Sequence, residues 1–280
     1  MKVRAYAKIN LALDVVRKRE DGYHELDMIM TPIGLHDLIL IDIIDQGIEL
    51  TANTYRIPTD ERNIMYKVAD RLIKEFNIQK GVRMHIYKHI PSQAGLGGGS
   101  ADGAAVLKAM NVLFDLNLSL EEMASIGKEI GADLPFCLYN RMAIVEGIGE
   151  KIELLDSNFE SLLLLVKPKK GVSTQRSFQA LDIALADHPD IQAMKKGILS
   201  NDYDKVINHL GNSLEKPSFK MVNDIEIIKN DLLNLGFDGA LMSGSGSCVF
   251  GMTRDPEILN NGYLYFRESY PFVRKSYIKH

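Results

Sequence analysis

The sequence predicts a mixed fold of the α+β class. Some segments alternate apolar and polar residues, which is typical of strands, and others repeat apolar residues at helical spacing. Both kinds of segment occur along the whole chain, and its 280 residues suit one large domain or two smaller ones. We place a boundary near Asn158, which divides the chain into lobes of residues 1–158 and 159–280.

Composition argues against several classes of protein. Hydrophobic residues make up 46% of the chain and charged residues 25%, as in ordinary soluble proteins, and a net charge of −4 argues against a nucleic-acid partner. The two cysteines form no C-x-x-C pair, so neither a disulfide scaffold nor a zinc ribbon is predicted. The N-terminus lacks the apolar core of a signal peptide, and the longest aliphatic run, Leu162–Val166, is too short to span a bilayer. We therefore expect a cytoplasmic protein with no membrane partner.

The first predicted element is a strand from Val3 to Val15. Apolar residues occupy every second position, so one face lies on a core. Lys8 and Asn10 share the other face, about 7 Å apart from the rise of a strand. They are either a functional pair or two solvated residues on an open sheet face, and for Lys8 alone the pattern favours the second interpretation.

Two shorter strands and a helix follow. Apolar runs predict strands at Leu38–Ile44 and Ile48–Thr51, and helical spacing predicts a helix that begins after Asn63, its N-cap. The next predicted strand, Val82–Ile90, carries Lys88 on its apolar face. That amine could reach an anion, or it could mark a register slip or a fraying strand end.

A glycine-rich loop, Pro91–Asp102, connects this strand to a helical run at Ala104–Met110. Glycines let a backbone approach a ligand closely, and the start of a helix offers N–H groups and a positive dipole end that attract phosphate. The loop lacks the Gly-Lys-Ser/Thr of a Walker A motif and the spacing of the dinucleotide fingerprint. It is either a phosphate-binding loop or a glycine-rich turn before an ordinary helix.

A capping box at Ser119 predicts the next helix, which Gly131 can end as a C′ glycine. Asp133 follows in a tight segment between apolar residues. A carboxylate there is either a turn former or a base in a partly dry site, and the local pattern favours the turn former.

The second half of the chain predicts further strands and helices. Leu162–Val166 is a strand buried on both faces, Ser173 caps a helix that runs through Phe178 and Leu181, and Gly236 ends a later helix. The segment Ala240–Phe250 predicts two strands joined by a turn of small residues that requires close backbone packing. A last strand is expected at Phe272 and Val273.

Five motifs, taken together and in order, resemble those of the GHMP small-molecule kinases. The glycine loop and the late Gly-Ser-Gly turn match the superfamily in general, whereas the Ala-Lys-Ile-Asn strand and Asp-Gly-Tyr-His point to a branch that acts on a cytidylyl alcohol. The motifs are Ala7–Asn10, Gly22–His24, Pro91–Ala101, Gly131–Phe136 and Ser243–Phe250.

The resemblance implies a two-lobed α+β fold, with a ribosomal-S5-domain-2-like N-terminal lobe and a ferredoxin-like C-terminal lobe that completes the substrate cleft. It implies an enzyme that uses ATP and Mg²⁺ to phosphorylate the 2-hydroxyl group of a cytidylyl alcohol in non-mevalonate isoprenoid biosynthesis. The alternatives are another GHMP kinase or a non-catalytic ligand-binding relative. No Walker-B-type acid is recognisable, so we expect ATP oxygens and water to supply most Mg²⁺ ligands.

The resemblance also implies roles for individual residues. Asp133 accepts the proton of the substrate hydroxyl, and Lys8 beside it stabilises the ionised carboxylate and steers the γ-phosphate. Tyr23 and Phe178 resemble the aromatic residues that sandwich the cytosine ring. Asn10, His24 and Thr174 complete the substrate residues. The ATP-binding residues are Pro91, Ser92, Gln93, Ala94, Gly95, Leu96, Gly97, Gly98, Gly99, Ser100 and Ala101 of the loop, with Asn63 and Lys88 near the base and ribose.

Two positions depart from the family pattern. Gln93 occupies a position where relatives more often carry a small residue, so it either narrows the loop or points outward. Gly103 falls in what we expect to be the first helical turn, where alanine is common and glycine costs about 0.5–1 kcal/mol.

Overall fold

A computed structural model describes residues 1–280. The chain forms two compact units that interleave along the sequence. The first comprises Met1–Ala7, Leu35–Ser92 and Gly97–Asn140, and the second comprises Lys8–Gly34, Gln93–Leu96 and Arg141–His280. The predicted boundary near residue 158 divides the chain into two continuous stretches, whereas each compact unit combines several stretches. That boundary therefore stays a prediction.

Strands and helices alternate irregularly, as expected for an α+β fold. The strands are β1 (Lys2–Lys18), β2 (His24–Ile44), β3 (Ile48–Ala52), β4 (Gly81–Tyr87), β5 (Ala143–Gly147), β6 (Lys151–Leu154), β7 (Leu162–Lys167), β8 (Gly211–Asn212), β9 (Gly239–Met242), β10 (Val249–Thr253) and β11 (Phe272–Tyr277). The helices are α1 (Ile64–Glu75), α2 (Gly98–Leu113), α3 (Leu120–Ile130), α4 (Leu134–Tyr139), α5 (Thr174–Gln179), α6 (Ile191–Leu199), α7 (Tyr203–Asn208), α8 (Glu215–Met221), α9 (Asp224–Asn234) and α10 (Pro256–Phe266). None of these helices combines the length and apolar character that a membrane crossing requires.

In the first unit, helices α1 to α4 share an apolar core with strands β2, β3 and β4. The second half of β2 pairs antiparallel with β4, and β3 pairs parallel with β4. Local sequence signals set the helix starts: Asn63 Oδ1 accepts a hydrogen bond from Met65 N–H, and Ser119 forms the predicted capping box with Glu122. Helix α3 ends where predicted, but Gly131 is extended (φ −165°) rather than left-handed.

The second unit contains a four-stranded antiparallel sheet in the order β11-β7-β10-β9. Helices separate β7 from β9, a tight turn joins β9 to β10, and α10 connects β10 to β11. This is the β-α-β-β-α-β arrangement of ferredoxin-like folds, as predicted for the C-terminal lobe. Elsewhere in this unit, the first half of β2 pairs with β5, β5 pairs with β6, and β1 pairs with β8.

Several element boundaries differ from the predictions. Strand β4 ends at Tyr87, so Lys88 lies beyond the strand, and α5 ends before Leu181. Helix α2 begins at Gly98, inside the glycine run, which moves Gly103 from the first helical turn to the second. A Cβ atom at Gly103 would lie 2.5 Å from Cγ2 of Ile64, so close packing of α1 on α2 explains the glycine.

Candidate active site

The predicted site residues fall into two groups, one in each compact unit. The first unit holds Asn63, Lys88, Asp133 and the part of the glycine loop that starts α2. The second unit holds Gln93–Leu96 of the loop, the predicted catalytic residue Lys8, and the residues predicted to bind the substrate: Asn10, Tyr23, His24, Thr174 and Phe178.

Helix α2 starts in a form suited to an anion. Its N-cap, Gly97, is left-handed (φ 66°) and provides no side-chain cap, and the first turn contains no acidic residue. Ala101 N–H donates to Gly97 O at 2.9 Å, which closes the first helical turn. Helical geometry leaves the preceding N–H groups, those of Gly98, Gly99 and Ser100, without partners inside the helix, and the helix dipole makes this end positive.

Asp133 lies in the turn between α3 and α4, where it is half-buried. It occupies the N-cap position of α4, but its side chain does not cap that helix. Its carbonyl accepts from Cys137 N–H at 3.1 Å, which is the first helical hydrogen bond of α4. A Cβ atom at the neighbouring Gly131 would lie 3.6 Å from Ser100 Oγ, which places this turn beside the start of α2.

Asn63 and Lys88, both predicted to bind ATP, have partners within the protein. The Asn63 side chain caps α1 and also donates to Pro58 O at 2.7 Å. The Lys88 ammonium contacts Asp37 at 2.5 Å and Asp102 at 2.7 Å. Burial lowers the pKa of Lys88, but the two carboxylates outweigh it and hold that pKa above its ordinary value. Contact of either residue with ATP stays a prediction.

In the second unit, Lys8 and Asn10 form a buried pair on β1. Their residues are only 5% and 0% exposed, so the interpretation as two solvated residues is wrong. Lys8 Nζ donates to Asn10 Oδ1 at 2.8 Å. The Lys8 backbone N–H donates to Leu96 O at 3.1 Å, which joins β1 to the glycine loop. A buried ammonium and amide at the edge of the glycine loop are suited to contact a polar, charged ligand.

The loop segment Gln93–Leu96 is bound to the turn Ser243–Cys248. Ser243 Oγ donates to Gly95 O at 2.9 Å and accepts from Asn10 N–H at 3.3 Å. Cys248 N–H donates to Ala94 O at 3.2 Å. A Cβ atom at Gly95 would lie only 1.8 Å from Ser243 O. The late Gly-Ser-Gly turn therefore has the close backbone packing that its small residues predict, and it packs against the segment Gln93–Leu96 of the glycine loop.

Two residues beneath this turn were not predicted. Asn212 Nδ2 donates to Met242 O and Gly244 O, both at 2.8 Å, and Glu215 Oε1 accepts from Met242 N–H at 2.9 Å. Glu215 also contacts Lys229 at 2.5 Å. The sequence around Asn212 and Glu215 contains no recognisable motif. Its one local signal is Gly211-Asn212-Ser213, a run of turn-forming residues that is typical of the end of a strand.

Apart from Asn10 on β1, the residues predicted to bind the substrate lie on two neighbouring segments of the second unit, Tyr23–His24 and Thr174–Phe178. Tyr23 is 62% exposed and follows the Asp21-Gly22 turn, where its N–H donates to Asp21 Oδ1 at 3.1 Å. The rings of His24 and Phe178 have centroids 4.9 Å apart at 30°. Burial and, to a smaller extent, the charge of Lys18 lower the pKa of His24, so its imidazole is neutral at neutral pH.

Phe178 therefore has His24 as its ring partner, and the predicted pairing of Tyr23 with Phe178 around a cytosine stays a prediction. Thr174 Oγ1 lies 2.8 Å from Ser245 Oγ, which links the start of α5 to the Gly-Ser-Gly turn.

Gln93 is left-handed (φ 52°) and exposed, and its side chain lies over Gly171, where a Cβ atom would be 2.7 Å from Gln93 Oε1.

Comparison with known proteins agrees with this architecture. Residues 63–141 match the GHMP kinases N terminal domain, and residues 192–271 match the GHMP kinases C terminal domain. A protein of Clostridium acetobutylicum named 4-diphosphocytidyl-2-C-methyl-D-erythritol kinase is 46% identical over 89% of this chain and 90% of its own. One of Clostridium beijerinckii with the same name is 44% identical over 91% of each chain.

A solved structure is also similar. The crystal structure of a 4-(cytidine 5'-diphospho)-2C-methyl-D-erythritol kinase superposes with a TM-score of 0.86, at 29% identity, over 100% of both chains. Identity above 40% over nine-tenths of the chain, together with both domain matches, leads to one conclusion. The chain belongs to the GHMP kinases, and among them to the family of 4-diphosphocytidyl-2-C-methyl-D-erythritol kinases.

Proposed function

We propose that this protein transfers the γ-phosphoryl group of ATP to the 2-hydroxyl group of 4-diphosphocytidyl-2-C-methyl-D-erythritol. The observation that carries the proposal is the 41–46% identity, over most of the chain, to relatives bearing that kinase's name. Along the sequence, residues 1–158 would supply the ATP phosphate loop, and residues 159–280 would complete the substrate site.

The start of α2 would hold the ATP phosphates. The N–H groups of Gly98, Gly99 and Ser100 are free of partners inside the helix and would donate to a phosphate, and no carboxylate in the first turn competes for the positive dipole end. Such preorganised donors stabilise charge on the transferring phosphoryl group, which is the main contribution in this class of reaction.

Magnesium is the expected companion of ATP. The chain contains no group of three or more His, Cys, Asp and Glu side chains suited to holding a metal ion. Mg²⁺ at phosphoryl-transfer sites commonly binds through substrate phosphates and water with one or two carboxylates. We propose that Mg²⁺ enters with ATP and takes most of its ligands from phosphate and water. When bound, it neutralises charge on the phosphates.

Asp133 and Lys8 would act on the reacting groups. Asp133 would accept the proton of the attacking hydroxyl, and the Lys8 ammonium, oriented by Asn10, would stabilise the developing charge. Because phosphoryl transfer with a loose transition state demands little of a base, Asp133 could instead act by orienting the hydroxyl.

The cytidylyl group would bind among aromatic side chains of the second unit. Tyr23 is exposed enough to stack on a base, and Phe178 and the neutral His24 lie together nearby on α5 and β2. Stacking on two-torsion aromatic side chains provides contact area at little entropic cost. A small aliphatic alcohol would not need such a group.

The direct test is a turnover assay with ATP and a panel of alcohols that includes the cytidylyl substrate, mevalonate, homoserine and a sugar. We expect phosphorylation of the cytidylyl substrate alone, with the product identified by mass spectrometry. Preference for another alcohol would support a different GHMP kinase. Ligand binding without any turnover would support a non-catalytic relative.

Variants of the proposed catalytic residues test the mechanism. Asp133→Asn should lower kcat by roughly 10²-fold while ATP binding is nearly unchanged. Lys8→Met should also lower kcat, and the double variant should be little worse than the worse single one, because residues that act as a unit are non-additive. Asp70→Asn is the control, since Asp70 only forms an exposed ion pair with Lys74 on α1.

A modest loss in Asp133→Asn would favour orientation over proton acceptance. Full activity in both single variants would refute the assignment of Asp133 and Lys8.

Substrate recognition is tested at Tyr23. Tyr23→Ala should weaken binding of the cytidylyl substrate by about 1–3 kcal/mol, the range for a base stacked on an aromatic side chain. The affinity for ATP should barely change. Tyr265→Ala, at a tyrosine of similar exposure on α10, should change neither affinity. If CMP or CDP fails to compete with the substrate in the unmodified protein, cytidine recognition is wrong.

A further inference from the structure

A buried cluster of charged residues lies beneath the glycine loop in the first unit. The Lys88 ammonium is 2.5 Å from Asp37 Oδ2 and 2.7 Å from Asp102 Oδ2. The three side chains are 10%, 0% and 6% exposed. One ammonium can balance only one of the two carboxylates, and an unbalanced buried charge is costly, so the two aspartates cannot be equivalent.

Hydrogen bonds distinguish the two aspartates. Besides Lys88, Asp37 accepts from the backbone N–H groups of His89 and Ile90 at 2.5 and 2.8 Å, so three donors stabilise its charge. Asp102 accepts only from Lys88, and its Oδ1 atom is buried without a hydrogen-bond partner. Burial raises the pKa of Asp102 well above its ordinary range, although Lys88 partly opposes the shift. Three donors, two of them backbone N–H groups, therefore hold Asp37, whereas one donor holds Asp102.

The cluster contacts both ends of the phosphate loop. The two backbone N–H groups bound by Asp37 belong to the residues that lead directly into Pro91. At the other end, a Cβ atom at Gly98 would lie 2.9 Å from Ile90 Cγ2 and 3.1 Å from Lys88 Nζ, so both side chains support the first residue of α2. Displacement of Asp37 would shift the entry to the loop, and displacement of Lys88 would shift the start of α2.

We propose that Asp37 and Lys88 are positioning residues for the phosphate loop, in which Asp37 fixes the segment that enters the loop and Lys88 supports the start of α2. Asp102, which accepts from Lys88 and from no backbone N–H group of the loop, is not required for this positioning. The inference rests on the proposed ATP-binding role of the loop, but not on which alcohol is phosphorylated.

Asp37→Asn and Asp102→Asn form a matched pair of variants, because each replaces one carboxylate on the same ammonium with an amide of the same shape. At position 37 three donors face the side chain, and the amide nitrogen cannot accept from any of them. At position 102 a single acceptor is needed, and the amide oxygen can provide it. The two substitutions should therefore differ in effect.

The readouts are the ATP dissociation constant by calorimetry and, in turnover assays, the separate KM values for ATP and alcohol. Asp37→Asn should weaken ATP binding about tenfold or more, consistent with the loss of hydrogen bonds to a charged group, and should leave the KM of the alcohol within about twofold. Asp102→Asn should change ATP binding by less than about threefold. If Asp37 only stabilises the fold, its replacement should lower the fraction of active protein, and therefore kcat, without a selective change in ATP affinity.

If Asp37→Asn does not fold, the double variant Asp37→Asn/Lys88→Met replaces it, since that variant leaves no unpaired ammonium. It should fold and still bind ATP at least about tenfold more weakly, because both anchors are missing. Unchanged ATP affinity in a folded Asp37 variant would overturn the proposal, as would an equal loss in Asp102→Asn. An unmodified protein that binds ATP but does not phosphorylate the cytidylyl alcohol would refute the proposed function and leave this test intact.

Discussion

Replacement of Gly95 by alanine should reduce stability more than the same replacement at Gly47. Both glycines are left-handed, with φ of 73° and 80°, so alanine at either site incurs the cost of a left-handed backbone, about 1–2 kcal/mol. A Cβ atom at Gly47 has no neighbour within 4 Å, whereas at Gly95 it would lie 1.8 Å from Ser243 O. Forced repacking costs about 1–3 kcal/mol more. We therefore expect a loss of about 2–5 kcal/mol for Gly95→Ala and about 1–2 kcal/mol for Gly47→Ala.

The assay is equilibrium unfolding in urea, with the free energy of unfolding compared for the unmodified protein and both variants. The difference between the variants isolates the contact of Gly95 with the turn Ser243–Cys248. Gly95→Ala should also raise the KM for ATP, because the turn fixes the loop, whereas Gly47→Ala should not. Equal losses of stability in the two variants would show that this contact does not constrain the loop.

Two further changes test local energetics. Asn63→Ala removes the side-chain cap of α1 and should lower the free energy of unfolding by about 0.5–2 kcal/mol in urea titrations; a loss below that range would mean that water replaces the cap. Asp27→Asn should stabilise the protein only at higher pH. Burial, with the charges of Glu146 and Asp14, raises the pKa of Asp27 to about 6, so the folded state retains the proton while the unfolded state releases it, and stability falls as pH rises toward 6. The gain should be present at pH 8 and absent below the unfolded pKa of about 3.9; an equal gain at both pH values would contradict the assignment.

Local sequence signals correctly predicted several element starts and some ends. Asn63 and Ser119 cap helices as their sequences indicate, and Gly236, with φ of 92°, follows α9 as a left-handed glycine. These signals act over a few residues, through hydrogen bonds between a side chain and the adjacent backbone. They therefore depend little on the packing of distant segments. The motifs that carry the family resemblance are equally local.

Predictions were wrong where long-range packing decides the outcome. The first half of β2 was not predicted, although from Leu26 to Met30 it pairs with β5, more than a hundred residues away in the sequence. The alternating pattern of β1 could not distinguish a solvated face from a buried one, because burial of Lys8 and Asn10 depends on segments such as Gly95 and Ser243.

The sequence by itself therefore determined the α+β class, the glycine loop before a helix and the motifs of a GHMP kinase. Only the tertiary structure decided which polar groups share a buried environment: Lys8 with Asn10, Lys88 with two aspartates, and Asn212 beneath the Gly-Ser-Gly turn. The physical reason is that the cost of burying a polar group is offset only by a specific partner. Periodicity within one segment carries no information about a partner that a distant segment supplies.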